Sequence, residues 1–386
     1  HFGFNDDALP QARRVLQDCQ KKADFAIAAG DLFDFRVPRQ EVVHDAIRLL
    51  AECRVFGDGG AEVAVVDGER EWLASSHVVA VYGTHERRAK GLVNVIELLH
   101  SAGLLVNCHS RKVFVRKRRH GRDECVCVQG LGGIPEELCR KALQLVDFKP
   151  VPDCFNVFVF HQSLAELIPA GEDFIGLRDL PQGFDLYVDG HIHWRHELKE
   201  GGKHLLIPGS TVVTQMRANE SQPKGYFIYD TERRLAEFVT VATRPFFLKE
   251  VVLEGASLQQ ALDACRKELS QVAVPPGSKP LVKLKVSGTL AQGLEAANLD
   301  LSPLEGEFGG RMELSLDKQV GALGLREKLD LLRRVRGERK GARELGFELL
   351  NRKLAESGAD GQLPDAVVLF DLLAEGDSEG ALKALC

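Results

Sequence analysis

Asp24-Phe25-Ala26-Ile27-Ala28-Ala29-Gly30-Asp31-Leu32-Phe33-Asp34 is an apolar run that stops at a glycine and then delivers two acids. Three more runs end the same way. His77–Tyr82 (HVVAVY) leads into Gly83-Thr84-His85-Glu86. Phe155–Phe160 (FNVFVF) leads into His161-Gln162-Ser163. Asp185–Val188 (DLYV) leads into Asp189-Gly190-His191-Ile192-His193. Each reads as a short strand, and each presents His or Asp where the backbone leaves the sheet. Open α/β sheets place their ligand sites at the carboxyl ends of strands. Glycine beside three of these ends lets the chain turn sharply and approach a site closely.

The segments between these strands read as helices. Val42, Val43, Ile47 and Leu50 recur at helical spacing, 91–103 (GLVNVIELLHSAG) ends on a glycine, and 135–146 carries Pro in its first turn. Further strands are expected at 112–116, 124–129 and 204–207, with a hairpin at 225–229 and 236–241. Strands alternating with helices over the first 243 residues indicate an α/β domain. From Pro245 the texture changes to a small α+β unit, with strands at 247–252 and 281–286 and a helix at 257–272. Helices are expected at 325–335, 340–356 and 363–384. Segment 56–76 looks like an insertion.

The chain has 386 residues, is 44% hydrophobic and 27% charged, and has a formal net charge of -6. These values fit two or three globular domains and exclude a disordered, collagenous or coiled-coil architecture. No apolar run approaches the roughly 18 residues of a membrane span. The nine cysteines are scattered through apolar stretches, which suggests buried thiols in a reducing cytoplasm rather than a disulfide framework. Cys125-Val126-Cys127 lies in a strand-like run with no second cysteine pair nearby, so it reads as structural. The acidic total hides two basic segments. Residues 111–122 carry 7 Lys or Arg and no acid, and residues 326–343 carry 8 basic side chains against 3 acids. Each alone reads as a solvated face. Together they make a phosphate-rich partner plausible.

The chemistry lies at the strand ends. Imidazole and carboxylate suit manganese, iron or zinc, and no cysteine joins the set. Alternating side chains project His191 and His193 the same way, toward neighbouring ions, and Asp31 could bridge the two. Two ions about 3.5–4 Å apart suit phosphoryl displacement. Taken singly, each element has a plain structural explanation. His161 could be a satisfied polar residue, and Asp31 to Asp34 could be a turn with a helix cap. The set is informative because all four segments end alike. His44, His100, His109, His120, His196 and His204 read as surface or packing residues.

GDLFD at 30–34, GTHE at 83–86, His161 and GHIH at 190–193 resemble the calcineurin-like metallophosphoesterase signature. The opening His1-Phe2-Gly3-Phe4, Ile207-Pro208-Gly209-Ser210 after GHIH, and Arg244-Pro245-Phe246 are similar to the SbcD-type (meiotic recombination eleven family) double-strand-break repair nucleases. Ala342–Gly346 and Leu369–Leu373 resemble that family's ATPase-binding tail. The resemblance implies a two-sheet β-sandwich flanked by helices over 1–243, a DNA-binding α+β capping domain over 245–318, and a helical tail over 325–386. It implies two manganese ions per chain. His1, Asp31 and His193 would hold one, with an Asp expected two residues upstream of His1, which reads as a cut start. Asp31, Thr84, His161 and His191 would hold the other. His85 would stabilise the leaving group or the pentavalent phosphate, or relay a proton.

The implied activity is 3′-to-5′ exonuclease and single-strand endonuclease action in double-strand-break repair, in the cytoplasm, or on the nucleoid in a prokaryote. The implied partners are DNA, an SMC-like coiled-coil ABC ATPase on 325–386, and a second copy through helix 91–103. Core packing is the other explanation for that helix's stripe of Leu92, Val95, Ile96 and Leu99. Thr84 stands where the family usually has Asn, and its hydroxyl is a shorter, less basic donor. Two alternatives stay open: a calcineurin-type phosphodiesterase or phosphatase on a small nucleotide or protein, and a metal-poor scaffold that binds DNA and the ATPase without cutting.

Overall fold

The computed structural model describes residues 5–119, 121–168 and 173–321. His1 and the expected helices of 325–386 lie outside the described residues. The elements run α1 (Asn5–Lys22), β1 (Ala26–Ala28), α2 (Gln40–Glu52), β2 (Glu62–Asp67), β3 (Arg70–Leu73), β4 (Val78–Ala80), α3 (Val95–Ser101), β5 (Val106–Asn107), β6 (Lys112–Arg119), β7 (Arg122–Leu131), α4 (Glu136–Val146), β8 (Phe155–Phe160) and β9 (Leu186–Asp189). They continue with β10 (His196–Glu200), β11 (Lys203–Ile207), β12 (Gly225–Asp230), β13 (Leu235–Thr240), β14 (Phe246–Ala256), α5 (Leu258–Ser270), β15 (Leu281–Leu290), α6 (Ser302–Phe308) and β16 (Glu313–Gly321). The fold is mixed α/β.

Two compact units divide the chain. The first contains everything through Lys249 and carries two main sheets. One has the order β1-β4-β5, all parallel. The other has eight strands in the order β10-β11-β9-β8-β7-β6-β2-β3, with β7, β8 and β9 parallel. Side-chain alternation shows how they stack. Val157 and Val159 of β8 share one apolar cluster with Val79 and Val106 of the small sheet and with Val81 just beyond β4, so the two sheets face each other. Phe158 and Phe160 point the opposite way, against Cys139 and Leu143 of α4. On the outer face of the small sheet, Val78 and Ala80 meet Leu50 of α2 and Ile96 and Leu99 of α3. The layers are therefore helix, sheet, sheet, helix. This is why the strands read as continuous apolar runs: both faces are covered. In the second unit, residues of β14, β15 and β16 form a three-stranded sheet with α5 and the start of α6. Ser257 caps α5 reciprocally: its Oγ accepts from Gln260 N, and Gln260 Oε1 accepts from Ser257 N.

The structure resolves or corrects several expectations. Segment 56–76 supplies the β2–β3 hairpin, which extends the eight-stranded sheet at its edge and buries Val63 and Val65. The expected helix over 91–103 is shorter, Val95–Ser101. Gly91 takes φ 84°, and Asn94 stops the helix by accepting from Glu97 N. Of the apolar stripe, Val95, Ile96 and Leu99 are core, so they cannot face a second copy. The apolar side chains exposed here are Leu92, Val93 and Leu98. Cys125 and Cys154 form a disulfide, which corrects the expectation of buried thiols at this pair, while the other described cysteines are free. The parallel β7–β8 register places Val126 opposite Phe155, and the two preceding residues sit side by side, Cα atoms 4.7 Å apart.

The basic segment 111–122 occupies the β6–β7 hairpin, and acids surround it. Arg111 binds Glu97 and Asp67, Lys117 binds Asp24 and Asp58, and Arg119 binds Asp24. β7 runs parallel to β8, so its beginning at Arg122 lies at the end of the sheet opposite His161. This favours the solvated-face reading over contact with a substrate at the strand ends. No helix among the described residues is long and apolar enough to cross a membrane.

Candidate metal centre

The four strands that carried the sequence argument end together. β1 pairs with β4 and β8 with β9, each pair parallel, so their carboxyl ends lie at one edge of the stacked sheets. There Asp31, His161 and His191 converge, with one potential ligand atom from each within 4.8 Å of the others. The backbone is built for this approach. Gly30 takes φ 97°, and a Cβ on it would fall 2.4 Å from His161 Nδ1. A Cβ on Gly83 would fall 2.0 Å from Asp31 Oδ1. Asp31 itself has φ 50°, a left-handed conformation that Asp tolerates better than most residues. Its main chain is held there by Glu86, which is fully buried and accepts from Asp31 N, Phe33 N and Gly83 N. Burial pushes the Glu86 carboxyl up to about 7, partly offset by the Gly83 and Phe33 N–H donors.

The donor set fits a cation. His161 Nδ1 lies 2.7 Å from the Ala29 carbonyl, which can only accept, so Nδ1 carries the proton and Nε2 presents a lone pair. That Nε2 is 3.0 Å from Asp31 Oδ2, yet it makes no hydrogen bond, and His191 Nδ1 is also buried without a partner. Buried ring nitrogens without partners are costly, and a cation completes those that present a lone pair. Burial holds His191 down to about 4, with His161 adding to the effect, so its ring is neutral. Burial also disfavours charge on His161, but the facing Asp31 carboxylate outweighs this and raises its pKa, so a proton and a cation compete for Nε2. Behind the histidines, Asp189 accepts from Gln162 N and His191 N through Oδ1 and ties the two loops together. Its burial pushes its carboxyl up to about 7.

His85 lies beside Asp31, half-buried. Its backbone N–H donates to Asp31 Oδ1, its Nδ1 lies 3.0 Å from Asp34 O and 3.1 Å from Asp34 Oδ1, and its Nε2 is 3.9 Å from Asp31 Oδ2. Asp34 thus orients the ring with Nε2 toward Asp31. Thr84 lies between Gly83 and His85 in the same loop. His193 is outside the three-residue group and engages Thr214 Oγ1 at 2.7 Å through Nδ1. His109 packs between the Tyr82 hydroxyl and Gly132 N, as expected of a structural histidine.

The motifs alone give no role to Asp34, Glu86, Asp189, Thr214 or Glu220. Asp34, Glu86 and Asp189 stand within or beside the quoted motifs, so proximity was an available signal. Thr214 and Glu220 lie more than twenty residues beyond His191 in chain order, and nothing local marks them.

No family model matches the chain. It is 26% identical over 239 residues to the DNA double-strand break repair protein Mre11 of Methanopyrus kandleri, covering 57% of this chain and 48% of that protein. It is 25% identical over 332 residues to the double-strand break repair protein mre-11 of Caenorhabditis elegans, covering 73% and 43%. With the DNA double-strand break repair protein Mre11 of Archaeoglobus fulgidus it shares 25% identity over 370 residues, covering 88% and 79%. The chain thus spans less than half the length of the first two relatives. The matches bear out the resemblance read from the motifs: the chain is similar to the Mre11 double-strand-break repair proteins.

Proposed function

We propose that this chain is a two-metal DNA nuclease of double-strand-break repair. The convergence of Asp31, His161 and His191 at the strand ends carries this reading. Asp31, Thr84, His161 and His191 would hold one manganese ion, and Asp31 and His193, with His1, the other. Bound there, the ions would activate a water and neutralise charge on the attacking and leaving oxygens of a phosphodiester. The chain's own groups do the rest. The Nδ1–H bond to Ala29 keeps His161 in the ligating tautomer, and Glu86 fixes the loop that aims Asp31. His85, steadied by Asp34, is placed to pass a proton from Nε2 to the departing oxygen. The partners proposed are DNA, seated with help from the capping domain of 245–318, and an SMC-like coiled-coil ATPase on 325–386. The exposed Leu92, Val93 and Leu98 would meet a second copy. The proposed polarity is 3′-to-5′ on duplex ends, with endonuclease action on single strands.

The test is manganese-dependent degradation of linear duplex DNA by this chain and by His85→Leu. General acid–base catalysis contributes about 10²–10⁴-fold, so the variant should lose that much. Equal rates would overturn the role of His85. A preference for cyclic nucleotides or phosphopeptides over DNA would favour the phosphodiesterase or phosphatase alternative.

A further inference from the structure

We infer that Thr214 and Glu220 form a proton-ordering relay that locks His193 in its metal-ligating tautomer, while Lys224 clamps the same residue's backbone. The inference rests on the proposed metal-binding role of His193 and assigns positioning residues to it. Glu220 is 2% exposed. It accepts from Thr214 N at 2.8 Å, Gln215 N at 2.8 Å and Lys224 Nζ at 3.0 Å. Surrounded by donors, it is a carboxylate and can only accept.

The direction of the relay follows from counting protons. Thr214 Oγ1 lies 2.9 Å from Glu220 Oε1 and 2.7 Å from His193 Nδ1. A hydroxyl has one proton, and Glu220 has none to offer, so that proton points at Glu220. The lone pair of Oγ1 then faces His193, and Nδ1 must carry the ring proton. Nε2 is left with its lone pair, the state a metal ligand needs. His161 reaches the same tautomer by a different route, through the Ala29 carbonyl.

The second grip is on the main chain. His193 O accepts from Lys224 Nζ at 2.8 Å and from Ser210 N at 3.1 Å. Lys224 Nζ also donates to Ser210 Oγ at 2.9 Å. The Ile207-Pro208-Gly209-Ser210 motif therefore has a physical role, which is to bring Ser210 under the histidine's carbonyl. The Glu220–Lys224 ion pair closes the circuit, so ring and backbone are held from one buried point.

The experiment uses Glu220→Gln, Thr214→Val and Thr214→Ser. The tautomer of His193 is read in the metal-free protein by long-range ¹H–¹⁵N NMR, and manganese affinity by calorimetry. In Glu220→Gln the new amide can donate to Thr214 Oγ1, which turns the hydroxyl proton toward His193 and favours the Nε2–H form. Thr214→Val removes the near acceptor, leaves only Glu220 Oε1 at 3.6 Å from Nδ1, and gives a tautomer mixture. Thr214→Ser keeps the wild-type tautomer. Manganese affinity should fall about 10–100-fold in the first two and stay near wild type in the serine variant. Thr214→Val only exchanges a hydroxyl for a methyl group, and it decides the matter if Glu220→Gln does not fold. An unchanged Nδ1–H tautomer with affinity within twofold of wild type in Thr214→Val would overturn the inference. A His193→Ala chain that binds manganese as well as wild type would instead refute the metal-binding role of His193, and the NMR reading would still report on the relay.

Discussion

Gly83→Ala tests the site with the smallest possible perturbation, one methyl group. The added Cβ would lie 2.0 Å from Asp31 Oδ1 and 2.4 Å from Asp31 N, where ordinary contact begins at 3.4 Å. Relief therefore needs a shift of 3.4 − 2.0, about 1.4 Å, in the carboxylate of Asp31, in the Gly83 backbone, or shared between them. The main chain cannot give way easily, because Gly83 N and Asp31 N are both bonded to Glu86. Moving the carboxylate breaks its bond from His85 N, which is worth about 1.5–3 kcal/mol for a charged acceptor. It also moves the shared ligand away from His161 Nε2. Misplacement by 1 Å at a reacting centre costs about 10²-fold, so manganese-dependent cleavage should fall at least that far. Calorimetric manganese titration and urea unfolding should show weaker binding and a loss of a few kcal/mol in stability. Gly306→Ala is the control. Nothing lies within 4 Å of its Cβ, and it should gain about 0.5–1 kcal/mol as a helix residue with binding unchanged. Wild-type manganese affinity in Gly83→Ala would refute the close packing of the two loops.

Manganese at 100 times its dissociation constant should raise the unfolding free energy by about 2.7 kcal/mol, and His161→Ala should abolish most of that gain in the same denaturant series. Burial, with the charge of Arg111 second, pushes His109 down to about 4. An unfolded histidine titrates near 6.5, so the unfolded chain takes up the proton first. This contribution is then complete above about pH 6.5 and lost as pH falls toward 4, by about 3 kcal/mol. His109→Gln should flatten the unfolding midpoint over that window, and parallel curves for the two proteins would contradict a neutral His109. Replacing Arg118 and Arg119 by Gln should leave the slope of log affinity for DNA against log salt unchanged, because the hairpin lies at the sheet's opposite end. A slope smaller by about 0.9 for each charge removed would mean that it touches phosphates.

The strands at the heart of the first unit were readable because both of their faces are buried. A run such as Phe155–Phe160 is almost wholly apolar, and β-branched and aromatic side chains dominate it. Which face each residue takes was not readable. Phe158 and Val157 look alike as apolar residues, and only the stacking of two sheets sends them to different cores. The helix is shorter than the apolar spacing of 91–103 suggests, because that spacing continues past the point where Asn94 caps it. The β2–β3 hairpin looked like an insertion because edge strands carry mixed, half-exposed residues that leave a weak pattern.

The sequence by itself determined which strand ends carry Asp and His. Asp31, His161 and His191 each closely follow a strand, and the order of those strand-end motifs survives any packing of the strands. Tertiary structure decided everything that depends on distance between those ends. It made Asp31, His161 and His191 a group, placed Glu86 behind two loops at once, joined Cys125 to Cys154, and put Thr214 and Glu220 behind His193. The physical reason is that hydrogen bonds and ion pairs act over about 3 Å in space, whereas the sequence records only separation along the chain. Periodicity reports burial, and burial alone does not say which neighbour a side chain will meet.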